Sequence, residues 1–218
     1  MIALYIVLGV LGLLLIVFFV VIGIIHRIIF YTPKKGQNDD FQLTESTQFL
    51  GLTDKINTLI NNLINVPCEH VYIKSYDRLK LHSRLYRNPD SNRVAIMFHG
   101  YRGTARRDFS GGAMHMIKKG YNVLLVDERG HGESKGHSIT FGAREKHDVL
   151  SWISFAKKEF GENIEIILVG ISMGAATILY AAQYIKEPVK LICDCPYSTG
   201  KEILCEFMKV LNLKLWLF

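Results

Sequence analysis

The pentapeptide Gly170-Ile171-Ser172-Met173-Gly174 sets one serine between two glycines. It follows directly on the apolar run Ile164–Val169 and precedes a segment carrying Ala175-Ala176 and Ala181-Ala182. A buried strand that runs straight into a helix needs a sharp turn at the serine, which strains its backbone and leaves Oγ exposed at the sheet's edge. Side chains at Gly170 and Gly174 would collide with neighbouring backbone, and the small Ala175 and Ala176 let the helix pack closely on the sheet. The helix N-terminus also directs backbone N–H groups toward a developing oxyanion. Nucleophilic attack on a carbonyl carbon is the chemistry open to such a serine.

Acyl transfer needs two N–H donors around the carbonyl oxygen as it becomes an oxyanion. The amide of Met173, just after the serine, is one candidate. The other comes from His99-Gly100-Tyr101-Arg102-Gly103, a glycine-rich turn after the apolar run Arg93–Phe98, with Tyr101 as the expected donor and His99 and Gly100 shaping the turn. A third segment, Asp127-Glu-Arg-Gly-His-Gly-Glu-Ser134, reads as a loop bordering the site, with His131 structural rather than a base.

These segments need a frame that brings strand ends together. Val71–Tyr76 and Leu79–Tyr86 alternate around Asp77-Arg78, as an antiparallel hairpin does. Arg93–Phe98, Tyr121–Val126, Ile164–Val169 and Val189–Cys193 then read as short apolar strands, with helices over 105–119, 143–160 and 173–186 between them. Short apolar strands alternating with helices predict a mostly parallel, doubly wound α/β sheet covered on both faces. Upstream, residues 48–64 have helical spacing in Phe49, Leu52, Ile56, Leu59, Ile60 and Leu63.

The N-terminus is of another kind. Ile2–Ile25 carries no charge, and at ~1.5 Å per residue it extends about 36 Å, enough to cross a bilayer with some tilt. No basic leader and no small-x-small cleavage site mark it as a cleaved signal, so it reads as an uncleaved single-pass anchor. His26, Arg27, Lys34 and Lys35 follow the span, which by the positive-inside tendency puts the body in the cytoplasm. The expected divisions are an anchor over 1–30, a linker and amphipathic helix over 31–65, and an α/β domain over 66–218. With 26 Lys+Arg against 20 Asp+Glu the chain is mildly basic. The positive residues are scattered, and no nucleic-acid motif accompanies them, so nucleic acid is excluded as the partner. The four cysteines show no zinc-like spacing and read as buried thiols, with Cys193 and Cys195 pointing the same way from one strand. No metal is expected.

Arg93–Gly103, Val126–Ser134, Gly170–Gly174 and Asp194-Cys-Pro-Tyr-Ser198 together resemble the α/β-hydrolase superfamily, and most of all its membrane-anchored bacterial members of the serine-aminopeptidase and acyl-hydrolase branch. The resemblance covers 66–218. It implies hydrolysis of an ester, thioester or amide in a small-molecule, lipid or peptide substrate, through an acyl-enzyme on Ser172 and without a cofactor. It also implies a triad in the order Ser…Asp/Glu…His. All eight histidines here precede Ser172, and Asp194 is the one aspartate after it. Some relatives place the acid at the position of Asp194, though in this branch that position more often looks structural, and no histidine stands where the base belongs. The expectation is that these residues form the first two-thirds of such a domain and are inactive, or nearly so, by themselves. The alternative is a degenerate, non-catalytic, membrane-tethered binding module.

Overall fold

The computed structural model describes residues 1–32 and 51–210. Of the linker expected over 31–47, residues 33–47 lie outside them, as does the apolar stretch from Leu211 onward. The chain divides into two compact units, Met1–Tyr31 and Thr32–Phe218.

The first unit is one helix, α1 (Ile2–Ile29), whose most apolar 18-residue window has a mean hydropathy of 3.2. By length and composition it can cross a membrane. At its end His26 stacks on Phe30, and the Arg27 guanidinium lies 4.8 Å from the Tyr31 ring centroid.

The second unit opens with α2 (Thr53–Ile64) and the hairpin β1 (Glu69–Lys74) and β2 (Lys80–Tyr86). Arg78 takes a left-handed φ of 64° at the turn, while Ser75 Oγ accepts the Leu79 amide at 2.8 Å and closes it. The chain then alternates through β3 (Arg93–Phe98), α3 (Ala105–Lys118), β4 (Asn122–Asp127), α4 (Glu145–Phe160), β5 (Glu165–Ile171), α5 (Met173–Ala182), β6 (Val189–Asp194) and α6 (Gly200–Val210). The six strands form one sheet in the order β1-β2-β4-β3-β5-β6. β2 meets both β1 and β4 antiparallel, and every pairing from β4 through β3 and β5 to β6 is parallel.

Strand alternation divides the core. Val94, Ile96 and Phe98 of β3 pack with Leu124 and Val126 against Trp152 of α4 and Ile178 of α5. Ala95 and Met97 point the other way and pack with Val123 and Leu125 against Phe109 of α3 and Leu63 of α2. Each fully buried Leu or Phe here contributes roughly 1.5–3 kcal/mol. This is the α/β-hydrolase fold.

The structure also corrects details. The helix expected over 173–186 stops at Ala182, where Tyr184 and Ile185 N–H turn back to Ala181 and Ala182 carbonyls, three residues behind. The tightened turn ends it. The helix read over 48–64 begins at Thr53, its first residues lying outside the described part. α6 was not anticipated, although Thr199-x-x-Glu202 is a capping box. Glu202 N–H donates to Thr199 Oγ1 at 3.1 Å, and its carboxylate accepts the Ser198 amide at 2.9 Å. None of the four cysteines is fully buried, and Cys195 is exposed. Cys195 does not share a strand with Cys193: β6 ends at Asp194, and Cys195 takes φ 43° in the turn beyond.

Candidate active site

The turn between β5 and α5 has one residue, Ser172, at φ 51° and ψ −111°. A non-glycine residue in this region carries about 1–3 kcal/mol of strain and persists only where its surroundings hold it. Ser172 N–H donates to the Asp194 carbonyl at 2.9 Å, and its carbonyl accepts from Ala176 N–H at 3.0 Å. The flanking glycines are steric requirements. A Cβ at Gly170 would press into the Ala175 amide, and one at Gly174 would run into the Phe98 carbonyl. Ser172 Oγ makes no hydrogen bond among the described residues, so the hydroxyl is presented rather than tied back. Met173 is the first residue of α5, and its amide precedes the first intrahelical bond, made by Ala176.

The turn after β3 is fixed from several sides. His99 is fully buried, and its Nε2 accepts the Glu128 amide at 3.1 Å, so the ring proton sits on Nδ1, which donates to the Gly100 carbonyl at 2.8 Å. Gly100 N–H is taken by Asp108 Oδ2 at 2.9 Å, and Gly103 N–H returns to the Gly100 carbonyl at 2.9 Å. Tyr101, the residue after it, lines the adjoining cleft. Asp108 was missed by sequence reasoning. It anchors this turn from the first turn of α3 while paired with Arg107 at 3.0 Å.

A cleft of about 890 Å³ joins these parts. Gly100, Tyr101, Ile171, Ser172 and Asp194 line it, together with Leu52 and Ile56, Arg107 and Asp108, Phe141, and Tyr197, Ile203 and Phe207. Tyr101, Phe141 and Phe207 form an aromatic cluster, with ring centroids 5.1 to 5.8 Å apart. Phe141, Tyr197 and Phe207 carried no motif. Only the α6 capping box could have pointed to the helix bearing Phe207. Asp194 lines the cleft at the end of β6, but no histidine among the described residues does.

The border loop after β4 is mostly buried and held by hydrogen bonds. Arg129 is buried, held by Asp148 through two 2.7 Å bonds and by Asp77 at 3.0 Å. Burial alone would raise Asp77, but the hydrogen bonds from Arg129 and Ser75 and the charge of Arg129 together outweigh it and hold the carboxyl at about 2. Burial raises Asp148 to about 6 despite the same guanidinium. His131, 1% exposed, has its Nδ1 3.1 Å from the Arg129 carbonyl and its ring edge-on to His99. Burial, assisted by the neighbouring His99, lowers His131 to about 3, which keeps it neutral. Glu128 is buried with neither carboxylate oxygen hydrogen-bonded among the described residues. Burial, and then the carboxylates of Glu145 and Asp148, push it well above the ordinary range.

Comparison with known proteins agrees with this architecture. The family described as serine aminopeptidase, S33, matches residues 89–218, more than half of the chain. An uncharacterized protein of Bacillus subtilis, YqkD, is 28% identical over 191 residues, covering 85% of this chain and 59% of that one. The thiohydrolase aneE of Aspergillus aculeatus is 32% identical over 123 residues, 55% of this chain and 39% of that one. The esterase Pf2001 of Pyrococcus furiosus superposes with a TM-score of 0.63 at 28% identity, over 72% of this chain and 63% of that one. The chain thus spans less than two thirds of the length of each of these relatives.

Proposed function

Because the chain belongs to the serine aminopeptidase S33 family of α/β hydrolases, we propose that it is the greater part of a membrane-anchored serine hydrolase whose nucleophile is Ser172. The single observation that carries this is the Ser172 backbone at φ 51°, held by steric contacts that admit only glycine on either side. In this proposal Ser172 Oγ attacks the carbonyl carbon of an ester, thioester or amide. A base takes its proton, the leaving group departs protonated, and water then releases the acid from the acyl-enzyme. Met173 and Tyr101 amides receive the oxyanion. The aromatic cluster of Tyr101, Phe141 and Phe207 favours an apolar acyl group in a small-molecule or lipid substrate.

We assign the base to a part of the whole protein outside these 218 residues, since every histidine precedes Ser172 and none among the described residues lines the cleft. The 218-residue chain alone is then inactive, or nearly so. Asp194 is retained as a possible acid only through its place beside Ser172. In this reading α1 is the anchor, and the basic residues in its last turn and beyond it favour a cytoplasmic domain. The same lack of a cleft histidine favours a second reading, a tethered binding module without catalysis.

Hydrolysis of a short p-nitrophenyl ester separates the two. The whole protein is expected to turn it over and to lose about 10⁴-fold or more on Ser172→Ala, while the 218-residue chain stays at background. Whole protein without turnover on esters, thioesters or amides would support the binding module. Turnover by the 218-residue chain that Ser172→Ala abolishes would overturn the assignment of the base.

A further inference from the structure

At the sheet edge remote in sequence from Ser172, two histidines and a glutamate converge. His70 lies on β1 and His82 on β2, in a register that pairs His82 with Tyr72, so His70 is its diagonal neighbour on the same face. Glu133 comes from the loop after β4. His70 Nδ1 and His82 Nε2 are 2.9 Å apart, His70 Nδ1 and Glu133 Oε1 3.2 Å, and His82 Nε2 and Glu133 Oε1 3.7 Å. Ligands at ~2.0–2.1 Å from a tetrahedral metal stand about 3.3–3.4 Å from one another. The three observed separations bracket that edge, so shifts of a few tenths of an ångström would close the set around one ion.

We propose that His70, His82 and Glu133 bind a divalent transition-metal ion of the zinc class, with water as the fourth ligand. Two imidazoles and one carboxylate oxygen are a donor set for zinc, and not for calcium or magnesium, which take oxygen.

The surrounding residues prepare the set. His82 is fully buried, and its Nδ1 donates to Asp127 Oδ2 at 2.7 Å, which leaves Nε2 unprotonated and aimed at the other two ligands. A carboxylate behind a ligating histidine fixes tautomer and ring orientation in this way. Tyr72 OH donates to Glu133 Oε2 at 2.6 Å, turning Oε1 inward. Glu133 is delivered by a turn that only glycine permits, since a Cβ at Gly132, φ 47°, would overlap the Asp127 carboxylate. Asp127 also accepts the Glu133 amide at 2.9 Å. Arg84 is the one cation with an ion pair to this group among the described residues. It binds Asp127 Oδ1 at 3.3 Å and approaches Glu133 Oε1 only to 3.8 Å, so the ion displaces the longer contact alone. Without metal, the His70 Nδ1 proton bridges to His82; on binding it moves to Nε2, and no net charge is lost.

The ion would staple the edge hairpin to the loop that carries His131 against His99. Zinc titration of the whole protein in detergent, by calorimetry and thermal unfolding, tests this, with cobalt(II) as the spectroscopic probe. One equivalent is expected to bind, to raise Tm, and to give the intense visible absorption of tetrahedral cobalt. His70→Ala and, separately, Glu133→Gln should weaken binding by about 10-fold or more and remove the Tm response. Both positions are partly exposed, so at least one variant retains the fold. Binding left intact in a folded variant, octahedral cobalt spectra, or no binding at all would each overturn the proposal.

Discussion

The turn at Ser172 and the cluster at His82 are built by opposite means. A single stretch, 170–176, makes the first from local causes: two glycines required by sterics, a serine held at φ 51°, and the small Ala175 and Ala176 in the first turn of α5. The second takes one residue from each of two antiparallel strands and a third from a loop 51 residues downstream of His82, brought together by sheet register and by the Gly132 turn. Contiguity makes a site rigid and easy to find. Assembly by register makes one dependent on the whole sheet and leaves no trace in local spacing.

The sharpest way to break this contrast is to damage the local turn. Gly174→Ala forces a Cβ into the Phe98 and His99 carbonyls and is expected to cost about 4 kcal/mol or more, or to prevent folding, as measured by urea unfolding. A loss below about 1 kcal/mol would mean that the turn relaxes and is not over-determined.

A smaller effect comes from the loop between the two regions. Glu128 has its folded pKa raised, so the folded state holds a proton that the unfolded state releases above about 4.5. Stability therefore falls as pH rises through that value. Glu128→Gln should remove the slope and raise stability at pH 8 by about 1–3 kcal/mol. His131, with its pKa lowered to about 3, acts in the opposite sense: the unfolded chain takes up a proton below about 6.5 that the folded chain refuses. Stability should thus drop as pH falls from 6.5 toward 3, and His131→Asn should flatten that limb of the profile.

Strain at the serine gives a third contrast, of about 1 kcal/mol or more. Ser172→Gly relieves the left-handed backbone and should raise Tm while removing the hydroxyl proposed as nucleophile. An unchanged or lowered Tm would mean that the turn stores no strain. Least of all, His70→Ala without metal should cost no more than about 1 kcal/mol, since its contacts to His82 and Glu133 are partly exposed.

Legibility in the sequence follows the same division. β3 was read residue for residue, and the hairpin and the other strands to within a few residues, because apolar runs and alternation report burial directly. Ser172 and its glycines were legible as one word. The cleft's far wall was not: Phe141 and Phe207 are ordinary apolar residues until α6 and the loop before α4 fold against Tyr101. Asp108 was hidden because its role, holding the Gly100 amide, depends on the start of α3 lying beside the end of β3. His70, His82 and Glu133 could not be grouped without knowing which residues of β1 and β2 stand opposite one another.

The central claim, that Ser172 is a nucleophile presented by a strained turn, is tested most directly by covalent labelling. The whole protein from its source cells, treated with a fluorophosphonate and digested, should carry one adduct, on the peptide containing Gly170–Gly174 and on Ser172 itself. Folded whole protein that takes up no label at Ser172, or takes it up on another serine, would contradict the claim.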